Sequence, residues 1–133
     1  MEVEFAFRRE ESDLFGPIWR PVARVIVIHR RRRVPQLFYV DSGADITLIP
    51  KSVGDLLGLK LVSPQEIREI KGIGERGVPI VIRRLQLQVG SRIFPVRIAW
   101  CLIEEVPLLL GRLDCFRLFS ITFRHCLTTV FHW

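Results

Sequence analysis

Short runs rich in β-branched residues, closed by Gly, Pro or charged clusters, recur from one end of this chain to the other. Runs of that length and punctuation predict strands, so the expected class is all-β, a sandwich or a barrel. Strands are expected near residues 3–8, 22–29, 34–40, 46–49, 78–89, 92–101 and 107–110, with a terminal hairpin from 119–124 and 127–132. "QVGSRIF" (88–94) predicts a tight turn at Gly90-Ser91. Two helices interrupt the pattern. One covers 50–57, with Pro50 at its first position and Gly58 just past its end. The other covers roughly 112–118, after Gly111. Ser63-Pro64-Gln65-Glu66 has the form of a capping box, yet it runs straight into a Gly-rich turn, which suits an extended arm.

A chain of 133 residues suits one domain, expected to span 1–133, with a core over about 18–124 and an extension over 125–133. An apolar fraction of 49% with 26% charged residues excludes a disordered composition. Met1 is followed by acidic residues and not by a basic start and an apolar block, so no signal peptide is read. No stretch approaches the roughly 18 apolar residues of a membrane helix. The expected compartment is the cytoplasm, with no membrane partner. Cys101, Cys115 and Cys126 are odd in number and lack metal-ligand spacing, and His29, His125 and His132 are scattered. Zinc needs about four convergent ligands, so no metal and no cofactor is expected, and the thiols read as buried and reduced. The net charge of +6 is densest at Arg30-Arg31-Arg32-Arg33, between two strand-like runs. That run is either a solvated hairpin turn or a phosphate-binding patch. No aromatic or Gly-rich pattern interleaves with it, which argues against nucleic acid as a partner.

The segment "FYVDSGADITLIP" (38–50) sets a carboxylate, Asp41, at the end of an apolar strand. Burying an isolated charge there is costly. On these letters alone two readings stand. Asp41 could take a turn position, its side chain bonding the backbone two residues on. Alternatively it could belong to a pair of aspartates sharing one proton, one acting as general base on a water while the other polarises a carbonyl. Gly43 permits close approach of another backbone, and the Ser42 hydroxyl can brace the site by hydrogen bonding. The chain holds a single Asp-Ser-Gly. A second carboxylate would have to come from a two-fold related copy of the chain.

Three motifs, in order, resemble the retropepsin-like aspartic proteases, the single-domain dimeric relatives of pepsin. They are "FYVDSGADITLIP" (38–50), "IKGIGERGVPI" (70–80) and "PLLLGRLDCF" (107–116), and the resemblance covers roughly residues 18–124. It implies a closed retropepsin-like β-barrel with a short C-terminal helix, one half of a pepsin-like bilobal architecture. It also implies an aspartic endopeptidase acting on polypeptides as a homodimer. Asp41 would be the catalytic residue, and Ser42 and Gly43 would brace the dyad. Gly43, Ala44 and Asp45 would contact substrate, together with Gly72, Ile73 and Gly74 of a closing flap, whose tip falls at Ile73-Gly74. Asp45 and Arg112 match a family ion pair near the dimer interface and are expected to meet.

The chain departs from the viral pattern in three places. Its flap lacks a double glycine and an aromatic and carries Glu75-Arg76. Leu113 intervenes between Arg112 and Asp114. The tail "HCLTTVFHW" (125–133) is longer, and is expected to add a strand at the dimer interface or to cover a sheet edge. These differences bear on substrate preference and flap dynamics. A different function on the same fold, a binding or dimerisation module with little or no catalysis, is the alternative.

Overall fold

The computed structural model describes residues 1–72 and 76–133. Their elements, in order, are β1 (Glu2–Ala6), β2 (Arg8–Ser12), β3 (Gly16–Arg20), β4 (Val22–His29), β5 (Arg32–Val40), β6 (Thr47–Ile49) and helix α1 (Lys51–Leu56). Then follow β7 (Arg68–Ile70), β8 (Val78–Val89), β9 (Arg92–Cys101), β10 (Leu109–Leu110), β11 (Ser120–Arg124) and β12 (Thr128–His132). Strand accounts for 55% and helix for 9%, so the protein is built almost entirely by sheet pairing.

Six strands close into a barrel in the order β4-β5-β10-β6-β9-β8, with β8 returning to pair with β4; β7 extends the sheet beyond β8. The alternation along β8 and β9 shows why these segments are strands. Leu85, Leu87 and Val89 are buried while Arg84 and Gln86 are exposed, and across the ladder Phe94, Val96 and Ile98 are buried while Ile93, Pro95 and Arg97 are exposed. This period of two puts one face of each strand into a core that also holds Val25, Phe38 and Trp100. Helix α1 lies against the barrel through Trp100, whose indole N–H donates to the Lys51 carbonyl at 3.2 Å. Gly54 makes that approach possible: a Cβ there would fall 2.0 Å from Trp100 Nε1.

A second sheet, β1-β12-β11, joins the two ends of the chain. Met1 and Trp133 exchange backbone hydrogen bonds of 2.9 Å in both directions. An aromatic cluster fastens this sheet to the barrel. Phe119 meets Phe131, Phe94 and Trp133 edge-to-face, with ring centroids 5.3, 5.6 and 5.6 Å apart. Each such pair contributes roughly 0.5–1.5 kcal/mol beyond burial. The tail residues 128–132 do not cover an edge of the barrel sheet; within one chain β12 is the central strand of this second sheet, with Thr129, Val130 and Phe131 buried.

Several local expectations change. The strand expected over 3–8 breaks at Phe7 into β1 and β2, and β2 turns back as a hairpin onto β3, which the charged letters "RREES" conceal. This hairpin is tied to the barrel through Tyr39. Its hydroxyl donates to Glu10 at 2.5 Å and accepts from Arg8 at 2.8 Å, and Arg20 pairs with Glu10 at 3.1 Å. The Tyr39 hydrogen bond and the two arginines hold Glu10 below the usual carboxylate range. The C-terminal helix shrinks to a 3-10 turn, Phe116–Leu118. Asp114 takes a left-handed φ of +62°, which breaks the helical path before it. Pro50 is the N-cap of α1 and not its first residue, and Gly58 has the left-handed φ of +77° expected after the helix. The capping box at Ser63–Glu66 forms on another 3-10 turn, and Glu66 also pairs with Arg83 of β8 at 3.0 Å. The arginine run makes the β4–β5 hairpin turn; Arg32 donates to the Leu56 carbonyl at the end of α1, and Arg33 to the Gln88 side chain.

Candidate active site

Asp41 follows β5 directly. β10 lies between β5 and β6, parallel to the first and antiparallel to the second, so the two backbones that flank the "DSGA" turn are held by one short strand. The ladder carries one bond further, from Asp41 N–H to the Leu110 carbonyl at 3.1 Å. The chain then turns. Ala44 N–H donates to the Asp41 carbonyl at 3.1 Å, and Gly43 N–H donates to Asp41 Oδ1 at 2.9 Å. That second bond is an Asx turn. The carboxylate is thus oriented through one oxygen. Among the described residues Oδ2 has no hydrogen-bond partner, and the side chain lines an open cleft of about 630 Å³.

Arg112 fastens the other side of the turn. Its guanidinium donates to the Ser42 carbonyl and to Asp45 Oδ1, both at 2.6 Å. Its backbone N–H donates to the Ala44 carbonyl at 2.9 Å, and Leu113 N–H to that of Asp45 at 2.9 Å. The Asp45 side chain is 90% exposed, so the ion pair adds little stability by itself. Its geometric effect is larger, because one planar fork spans residues 42 to 45. Beneath the turn, Thr47 is fully buried and its hydroxyl accepts from Gly111 N–H at 3.0 Å.

The cleft is lined by Asp41, Gly43, Ala44 and Asp45 together with Ile70, Lys71 and Gly72. The structure therefore brings together five of the residues singled out in the sequence: Asp41, Gly43, Ala44, Asp45 and Gly72. Ser42 is exposed, and its main chain is held by Arg112. Ile73 and Gly74 lie outside the described residues. Sequence reasoning did not single out Ile46, Leu48, Ile70 and Leu109, the apolar part of the cleft. Their signal was the apolar alternation around the turn, which reads equally as core. Thr47, a lone hydroxyl within "DITLIP", was a further readable sign. Among the described residues no group of His, Cys, Asp and Glu is placed to hold a metal ion, and no helix is long and apolar enough to cross a membrane.

No family model and no curated protein matches the chain by sequence. Solved structures do match by fold. A retropepsin-like aspartic protease from Rickettsia conorii superposes with a TM-score of 0.64 at 17% identity, over 99% of this chain and 92% of that one. The EIAV protease, in complex with an inhibitor, superposes with a TM-score of 0.50 at 19% identity, over 76% of this chain and 86% of its own. The fold is that of the retropepsin-like aspartic proteases, as the three sequence motifs imply.

Proposed function

We propose that the protein is an aspartic endopeptidase that acts on polypeptides as a homodimer. The observation that carries this reading is the state of Asp41 on a retropepsin-like fold. One carboxylate oxygen is fixed by the Gly43 N–H, and the other is left open at the wall of a cleft.

A single copy is chemically incomplete. Among the described residues, the other carboxylate lining the cleft is Asp45, which is already engaged by Arg112. A two-fold axis beside Asp41 supplies the missing partner as a second Asp41. Two carboxylates in contact hold one proton between them. The ionised one draws a proton from water as that water attacks the scissile carbonyl, and the protonated one donates to the carbonyl oxygen. The proton then passes to the leaving amine, and the dyad is restored. No covalent intermediate with the protein forms.

Substrate would lie extended, because the β7–β8 hairpin offers backbone groups to a strand added across the cleft. In this reading the segment "IKGIGERGVPI" (70–80) is the flap. Ile46, Leu48, Ile70 and Leu109 then supply apolar subsites. Residues 1–133 act as one domain. A cytoplasmic site of action fits the three free cysteines.

The test is hydrolysis of a mixed peptide library between about pH 3 and pH 8, run beside Asp41→Asn. Cleavage that disappears in the variant supports the dyad. A folded dimer that cuts nothing would overturn it in favour of a binding module.

A further inference from the structure

On the barrel face beside the cleft, two adjoining grooves carry a concentration of arginine. The first, of about 470 Å³, is lined by Arg84, Pro95, Arg97, Asp114, Arg117 and Leu118 among others. The second, of about 440 Å³, shares Arg97, Asp114 and Arg117 with it and adds Asp45, Arg112 and Leu113. Asp45 also lines the cleft that holds Asp41. The second groove therefore adjoins the cleft at Asp45 and the first groove at Arg97, Asp114 and Arg117.

The charges along this path do not cancel. Four arginines face two aspartates, and both aspartates are already used, Asp45 by Arg112 and Asp114 by Arg97 in a two-pronged contact of 2.8 and 2.9 Å. Among the described residues, Arg84 and Arg117 have no carboxylate within salt-bridge distance, and both are exposed. Arg84 also stands directly opposite Arg97 in the β8–β9 ladder. Like charges in that position oppose sheet pairing. Asp114 offsets one of them, and an anion lying between Arg84 and Arg117 would offset the other.

We propose that this groove is an accessory site for acidic side chains of the polypeptide substrate, remote from the bond that is cut. The proposal rests on the protease reading for its substrate but not for its geometry. Arginine forks suit carboxylates. Nucleic acid fits less well. The groove's apolar lining is Pro95, Val96, Leu113 and Leu118, with no aromatic for a base to stack on.

Two measurements on full-length protein test it. The first needs no catalysis: fluorescence anisotropy of a labelled hexaglutamate peptide on Asp41→Asn, with and without Arg84→Gln and Arg117→Gln together. Binding should weaken roughly five- to tenfold in the variant carrying both arginine changes. Unchanged binding overturns the accessory site, as does tighter, equally arginine-dependent binding of a single-stranded oligonucleotide of the same charge. The second compares kcat/KM for one cleavable core peptide carrying either a glutamate or a glutamine tail. The glutamate tail should be favoured by roughly tenfold through KM, and the preference should vanish with both arginines changed. Equal cleavage of both peptides by the wild-type protein overturns the proposal while leaving proteolysis intact. Arginine-dependent hexaglutamate binding in a protein that cuts no peptide supports the groove and removes the protease reading alone.

Discussion

Gly111 is packed against the backbone of Ile46: a Cβ on Gly111 would fall 2.4 Å from the Ile46 carbonyl carbon and 2.5 Å from its oxygen. The obstacle is main chain, so no rotamer change relieves it. Gly111→Ala should destabilise the protein by about 3 kcal/mol, near the upper end of overpacking costs. In thermal unfolding that is a fall of roughly 10 °C in Tm. An alanine variant that melts with the wild type would show that the Asp41 and Gly111 segments are not held this tightly.

On the proposed dyad, Asp41→Asn should lose turnover by at least about a thousandfold, since asparagine cannot take up or release a proton as a carboxyl group does. Stability should change by less than about 1 kcal/mol, because the amide oxygen can still accept from Gly43 N–H. Sedimentation and peptide hydrolysis on the same sample separate the two effects. Residual cutting at wild-type rate would remove Asp41 from the chemistry.

Arg112→Lys keeps the charge but not the fork. A lysine can reach the Ser42 carbonyl or the Asp45 carboxylate in good geometry, not both as a rigid plane. We expect kcat/KM to drop roughly tenfold while Tm moves only slightly, as the contact is largely exposed. A large fall in Tm with unchanged kinetics would make the bridge structural only.

The Arg97 side chain, then its backbone N–H, hold the Asp114 carboxyl down at about 2, against an ordinary 3.8. A depressed carboxylate adds stability that is complete above the unfolded value and is lost as pH falls through the folded one. Here the window is between about pH 4 and pH 2. Because Arg97 is nearly half exposed, solvent screening limits the contribution to about 1 kcal/mol. Asp114→Asn, which tolerates the same left-handed φ, should flatten urea stability across that window. An unchanged acid limb would contradict the pairing.

Burial pushes the Cys101 thiol up to about 11 and the Cys115 thiol up to about 12, whereas Cys126 lies exposed at the β11–β12 turn. A thiol-reactive dye near neutral pH should therefore label Cys126 alone in the native protein, and all three cysteines in denaturant. Rapid native labelling of Cys115 would mean that the packing beneath residues 111–118 opens readily.

The barrel strands were legible as short apolar runs, with alternating burial clearest over residues 84–89 and 93–98. The β2–β3 hairpin was not, since its stability comes from the distant Tyr39 cluster and its tip displays Leu14 and Phe15 to solvent. Nor was the shortened C-terminal helix. Asp114 takes its left-handed φ while its carboxylate is bonded to Arg97 of β9, a contact distant in sequence. At the site, the turn reading of Asp41 is met by its bond from Gly43 N–H. One oxygen makes the turn and the other has no hydrogen-bond partner among the described residues, a division that four letters cannot convey. The apolar cleft wall escaped notice because Leu48 and Ile70 look like any core residue until the sheet is closed.

The two-residue strand at Leu109–Leu110 also fixes when the site can come into being. Residues 41 and 110 must meet before the turn around Asp41 is held, and about half of the chain separates them. Contacts this distant in sequence form late and slowly in folding. A nascent chain that has reached β9 can pair β4 with β5 and β8 with β9, but Asp41 still lacks the Leu110 carbonyl and the Arg112 fork. Synthesis thus produces most of the barrel before it produces the centre that the barrel carries.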